Sequence, residues 1–156
     1  PIQIERWLVE NGNKVFENQT IYVDVPKGVD SNEIIVLRGE GNCSANNTNG
    51  DVKLFIKVIN DTAFERQGLN LLFTKSISLV DALCGFVFEL KYINGKTYTI
   101  NNQSGSVIKP NYRKIIPNMG LERDDHHGNL IIEFKVDFPE KLTSEQVLHI
   151  RTVLCK

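Results

Sequence analysis

The chain has 156 residues, 41% hydrophobic and 24% charged, and its 18 basic and 19 acidic side chains leave a formal net charge of −1. That balance lacks the basic excess of a broad nucleic-acid surface, and no apolar run approaches the roughly 18 residues needed to span a bilayer. The length admits one domain or two small ones.

Cys43, Cys84 and Cys155 are widely spaced and form no Cys-x-x-Cys pair. This argues against a cysteine-built zinc site and for reduced thiols in an intracellular, cytoplasmic or nuclear protein. The chain opens on Pro1 inside a strand-like run, as a piece of a longer protein would, so missing targeting signals carry no weight. Sequons at Asn18, Asn42, Asn46, Asn60 and Asn102 are what chance gives an asparagine-rich sequence.

Period-two alternation dominates the first half. Ile2 and Ile4 alternate with Gln3 and Glu5. Ile21, Val23 and Val25 share one face of a further strand, which Pro26 and Gly28 end. Residues 33–38 form another, and the Asn-, Ser- and Gly-rich stretch 41–50 is an exposed loop. Val52, Leu54 and Ile56 then share a face, opposite Lys53 and Lys57. Residues 60–68 lack either periodicity and read as a seam.

The second half begins with an alternating apolar strand, 69–77. Ser78 and Asp81 form a capping-box pattern that predicts a short helix ended at Gly85, with Cys84 packed inside. Asn94-Gly95 between Tyr92-Ile93 and Thr97-Tyr98 predicts a tight hairpin. Residues 100–116 have no clear pattern, and 130–138 form the last strand. Thr143 and Gln146 are a second capping box. It opens an amphipathic helix in which Leu142, Val147, Ile150 and Leu154 recur near helical spacing. A helix of about three turns is marginal alone in water, so this stripe must dock on its own body or on a second copy.

The segment from Gly50 to Val58 returns as Gly128 to Val136, and glycine-bearing loops, Arg38-Gly39-Glu40-Gly41 and Pro117-Asn118-Met119-Gly120, lead into the two copies. A period of about eighty residues is too long for a solenoid and fits a duplicated small domain. Two similar sheet modules present surfaces more readily than they perform chemistry.

Six ordered motifs carry a resemblance. They are Phe64-Glu65-Arg66-Gln67-Gly68-Leu69-Asn70-Leu71, then residues 77–85, Ile93-Asn94-Gly95-Lys96, Met119-Gly120, Gly128-Asn129-Leu130, and Asp137-Phe138-Pro139 with Leu142-Thr143 and Gln146. Together they resemble the C-terminal substrate-binding region of DnaJ-type co-chaperones, in the type without a cysteine-rich zinc insert. The resemblance implies a mostly β fold of two tandem, small β-sandwich-like domains with short helices, ending in a C-terminal amphipathic helix. Domain I would occupy 1–62, domain II 63–139 and a dimerisation helix 140–156. The family's J domain would lie before Pro1. Asp61-Thr62-Ala63 stands where the family has His-Pro, and Gln3 and Asn18 stand where it places lysines that hold the acidic tail of its ATPase partner.

The resemblance also implies a function with no catalytic residues, metal or cofactor. The chain would bind unfolded client polypeptide and deliver it to a heat-shock 70 kDa ATPase chaperone. Client-lining residues would be Ile2, Ile4, Val52, Leu54 and Ile56, on the strand from Pro1 to Trp7 paired with the strand of Val52. Leu142, Val147, Ile150 and Leu154 would join two copies. Nucleic acid and membrane are not expected partners. Two rivals stand beside this reading. One is a dimerising scaffold that binds no client. The other is a metal-dependent enzyme using Asp124, Asp125, His126 and His127, donors of suitable type but adjacent in one loop.

Overall fold

The computed structural model describes residues 1–44, 46 and 48–155. Ala45 and Asn47 of the predicted 41–50 loop, and Lys156, lie outside the described residues. The strands in chain order are β1 (Ile2–Glu10), β2 (Asn13–Ile21), β3 (Ile34–Leu37), β4 (Val52–Phe55), β5 (Glu65–Gln67) and β6 (Asn70–Ser78). After helix α1 (Leu79–Cys84) come β7 (Val87–Lys91), β8 (Thr97–Asn101), β9 (Arg113–Ile116), β10 (Glu122–Arg123), β11 (His126–His127), β12 (Leu130–Asp137) and helix α2 (Ser144–Leu154). The fold is mostly β, with several small sheets and a C-terminal helix, as the sequence predicts. The chain divides into two compact units, one of Pro1–Asp61 with Leu121–His127 and one of Thr62–Gly120 with Gly128–Lys156.

In the first unit, β1 and β2 form an antiparallel hairpin in register from Ile2↔Ile21 to Glu10↔Asn13. Asn11 and Gly12 both take positive φ at its turn, 50° and 80°, the left-handed geometry that matches strand twist. This tight turn was absent from the sequence expectations. β2 also stops at Ile21, so Val23 and Val25 continue no strand, and Val25 is exposed. β3 pairs with β4 antiparallel, from Ile34↔Phe55 to Leu37↔Val52. Two bonds extend that ladder, Asn32 N–H to the Ile56 carbonyl and Ile56 N–H to the Glu33 carbonyl, each 2.9 Å. The loop after β3 ties back to β1 through Cys43 N–H to the Trp7 carbonyl (2.9 Å) and Trp7 N–H to Asn42 Oδ1 (3.0 Å).

The second unit is built on a four-stranded sheet of order β5-β6-β12-β9, in which β12 runs parallel to β6 and antiparallel to β9. Central strands are covered most completely, and Leu130, Ile132 and Phe134 of β12 are fully buried along one face. An aromatic cluster fills the space beside them. Phe86 meets Phe134 edge-on at 5.4 Å, and Phe64 meets Tyr92 edge-on at 5.7 Å, geometries that suit the ring quadrupoles. The predicted seam contains β5, paired with β6 across Gly68, because a strand of three residues is too short to register as periodicity.

Both capping boxes form. Ser78 Oγ accepts from Asp81 N–H (3.0 Å), and Thr143 Oγ1 accepts from Gln146 N–H (3.2 Å). Gly85 has a positive φ of 92°, but its ψ of 160° is not the left-handed helical cap predicted. A Cβ there would lie 2.6 Å from the Asn102 carbonyl oxygen, so close backbone approach also demands glycine. Cys84 is exposed and not packed inside α1, because a six-residue helix buries only Ala82. The Asn94-Gly95 hairpin joins β7 to β8 through residues 92–96, with Tyr92 N–H bonded to the Lys96 carbonyl and Gly95 at φ 79°.

The sequence echo has a physical counterpart. Gly41 donates its N–H to the Gly50 carbonyl at 2.8 Å, and Gly120 donates to the Gly128 carbonyl at 2.9 Å. In each copy the glycine pair closes the loop between two antiparallel strands, β3–β4 and β9–β12. The copies differ in surroundings. β12 has β6 on its other side, whereas among the described residues β4 pairs with β3 alone.

Candidate functional site

Ile2, Ile4, Val52, Leu54 and Ile56 are all half-buried, and each alternates with an exposed neighbour such as Gln3, Glu5, Lys53 or Phe55. The structure corrects their expected arrangement. β1 pairs with β2 and β4 pairs with β3, so among the described residues no ladder joins the strand of Ile4 to the strand of Leu54. β1 runs through the tight Asn11-Gly12 turn into its own neighbour, and that local connection pairs the backbone groups of one edge. Ile2 and Ile4 therefore share a face with their partners Ile21 and Gln19, while Val52 and Leu54 lie opposite Leu37 and Ile35.

Of the fourteen buried hydrophobic residues among the described residues, only Ile21 belongs to the first unit. The apolar side chains of its sheets thus keep part of their surface in water, where the second unit buries its own. The inward face of β1–β2 also carries charge. Arg6, with a side chain 15% exposed, donates from Nε to Glu17 Oε1 at 2.7 Å, with Glu40 Oε2 at 3.9 Å from Nη1. Sequence patterning missed this pair, since nothing in alternation marks a charged residue as facing inward. The opposite face of β3–β4 exposes Ile34, Val36 and Phe55, and Ile34 and Phe55 are direct register partners.

In the second unit, α2 has no buried residue. Leu142, Val147, Ile150 and Leu154 line one side of an open groove of about 680 Å³, and Leu79, Leu83 and Phe138 line the other. An adjoining hollow of about 440 Å³ includes Cys84, Val107, His149 and Val153. The expected stripe is real and faces α1, but the groove leaves its residues 36–63% exposed.

The Asp-Asp-His-His loop has no site geometry. Asp124 and Asp125 both sit at positive φ, and His126 and His127 alternate along β11. His126 Nδ1 lies 2.8 Å from the Asp124 carbonyl, where a protonated Nδ1 donates to it. Among the described residues, no three His, Cys, Asp or Glu side chains stand together as metal ligands. The neighbour that matters is Arg123, whose guanidinium pKa is raised by its hydrogen bonds to Glu33, the charge of Glu33 reinforcing them. No helix among the described residues is long and apolar enough to cross a membrane.

Residues 3–139 match the family model described as DnaJ C terminal domain. The chain is 34% identical over 147 residues to DnaJ protein homolog 1 of Allium porrum, covering 92% of this chain and 37% of that protein. It is also 34% identical over 149 residues to Chaperone protein dnaJ 2 of Arabidopsis thaliana, covering 93% and 36%. Chaperone protein dnaJ A6 of Oryza sativa subsp. japonica is 32% identical over 130 residues, covering 80% and 30%. The two-unit β architecture and these matches define its class: the chain belongs to the DnaJ C-terminal domain family. It spans about a third of the length of the curated relatives it matches.

Proposed function

We propose that this chain is the client-holding part of a cytoplasmic DnaJ-type co-chaperone. It binds non-native polypeptide on the half-buried apolar strips of its first unit, Ile2 and Ile4 on β1 and Val52, Leu54 and Ile56 on and beside β4. A heat-shock 70 kDa ATPase chaperone receives the client, and α2 joins two copies through Leu142, Val147, Ile150 and Leu154.

The observation that carries this reading is the unfinished burial of the first unit: among the described residues Ile21 is its one buried hydrophobic residue, while Ile2 and Ile4 on one sheet and Val52, Leu54 and Ile56 on and beside another remain half-covered. An apolar strip on short strands offers non-directional contact to alternate side chains of an extended peptide. Two or three aliphatic anchors contribute roughly 1.5–3 kcal/mol each, and ordering the peptide opposes much of that. Affinity near or weaker than about micromolar follows, with two sites in a dimer compensating through effective concentration.

The test is aggregation of a chemically denatured model enzyme with wild type or with the Ile4→Ser/Leu54→Ser double variant. Suppression that weakens in a normally folded variant supports the reading, and equal suppression by both removes these residues from the client site.

A second reading, a dimerising scaffold without client binding, is favoured by the open apolar groove along α2. If neither protein suppresses aggregation while the chain remains dimeric, the scaffold is correct.

A further inference from the structure

The hairpin of β10 and β11 lies in sequence between β9 and β12 of the second unit's sheet, yet it belongs to the first unit. The chain leaves the second unit after Gly120, packs residues 121–127 into the first, and returns at Gly128. What receives the hairpin is the loop between β2 and β3. Arg123 donates from Nη1 to Glu33 Oε1 at 2.6 Å and from Nη2 to Glu33 Oε2 at 2.8 Å, a two-pronged pair across 90 residues of sequence. Lys27 Nζ meets Glu122 Oε2 at 3.1 Å. Gly28, at φ 72°, lets the hairpin backbone approach so closely that a Cβ would lie 2.6 Å from the Glu122 carbonyl oxygen. Only a residue without a side chain fits both conditions.

The receiving loop is also where the β3–β4 ladder ends. Glu33 accepts Ile56 N–H on its backbone carbonyl while its carboxylate holds Arg123, and Asn32 N–H closes the ring on Ile56. Glu33 Oε1 further accepts Asp30 N–H at 2.7 Å, so one side chain braces the loop from two directions. A planar guanidinium fork fixes direction as well as distance, which a single point charge does not.

We infer that the β10–β11 hairpin is a clasp, and that Arg123 is a positioning residue: it pins Glu33 and thereby the Ile56 end of the β3–β4 sheet. The effect on client holding rests on the proposed reading of that sheet as part of the client surface. The clasp itself does not. Binding to a pre-organised strip loses less ordering free energy than binding to a loose one.

The experiment is amide hydrogen exchange on the whole chain. Arg123→Met, which keeps the stem and removes the fork, should speed exchange at Asn32 and Ile56 by about three- to fivefold, the scale of a partly exposed ion pair. Ile132 and Phe134 in the second unit should be unchanged. Gly28→Ala, which displaces the hairpin from the other side, should act alike.

Exchange at Asn32 and Ile56 within about twofold of wild type in both Arg123→Met and Gly28→Ala overturns the clasp. Faster exchange with unaltered suppression of aggregation of the denatured enzyme overturns the positioning role. Failure of the wild type to suppress that aggregation defeats the client reading, while the exchange result still decides the clasp.

Discussion

Gly120 donates its N–H to the carbonyl of Gly128 at 2.9 Å, and neither glycine has room for a side chain. A Cβ on Gly120 would overlap Gly128 and the Leu69 carbonyl, and a Cβ on Gly128 would overlap Leu69 still more. In the earlier copy the crowding is milder, with a Cβ on Gly41 lying 3.0 Å from the Gly50 carbonyl group. Overpacking of a rigid backbone neighbour costs about 1–3 kcal/mol or more. Urea unfolding should therefore rank Gly128→Ala as most destabilising, then Gly120→Ala, with Gly41→Ala last. The reverse order would mean that the two closures do not share one geometry.

Phe134 anchors the second unit. It is 1% exposed on the central strand and packs against Phe86 at 5.4 Å and Tyr112 at 6.3 Å. Phe134→Ala should lower unfolding free energy by about 3–5 kcal/mol, through lost transfer energy and the cavity left behind. Phe55→Ala, at a side chain 74% exposed, should cost less than about 0.5 kcal/mol. Thermal denaturation of the pair checks the contrast.

Tyr92 gives the fold an alkaline limit. Its hydroxyl donates to the Met119 carbonyl at 2.6 Å, and its pKa is raised above 10.0 by burial first and by nearby Tyr98 second. The neutral form is thus favoured in the folded state. Below the ordinary value both states hold the proton and stability is level. Above it the unfolded chain loses the proton first, so stability falls from about pH 10 up to the raised folded value. Tyr92→Phe should flatten this fall while lowering stability at neutral pH by about 1 kcal/mol for the lost hydrogen bond. Unfolding curves across pH 8 to 11, on the order of the tyrosine range, read both effects.

The α2 stripe has a decisive test in solution mass. Val147→Asp/Ile150→Asp places two carboxylates in the apolar groove, and burying them in a joint between copies would weaken it by about a hundredfold or more. Sedimentation should then show single copies where the wild type shows pairs. Helix content should persist, because the Thr143–Gln146 capping box and the exposed faces are untouched. A wild type that is monomeric at the same concentrations removes α2 as a joint.

Much of this architecture was legible because it is local. Ser78 with Asp81 and Thr143 with Gln146 announce helix starts, since each box satisfies its own orphan backbone groups within four residues. Alternation placed Val52 and Leu54 on one face and predicted β12, because strand side chains alternate whatever the partner. The Asn94-Gly95 turn was equally plain, and Asn11-Gly12 carries the same pair of residues. The alternation of Ile2, Ile4, Val52, Leu54 and Ile56 with exposed neighbours was legible, and the pairing of their strands was not.

What the sequence by itself determined is β1, β3, β4, β6, β12 and the two helix starts, with the glycine-closed echo and the family motifs, all written in short spacings. Only the tertiary structure decided which strands pair. It set β1 beside β2, left Cys84 exposed, turned Arg6 inward toward Glu17, and carried Arg123 across 90 residues to Glu33. Period and propensity fix which face of a strand is apolar. They carry no term for the distant backbone or charge that will stand opposite, and that choice is made by the packing of the whole chain.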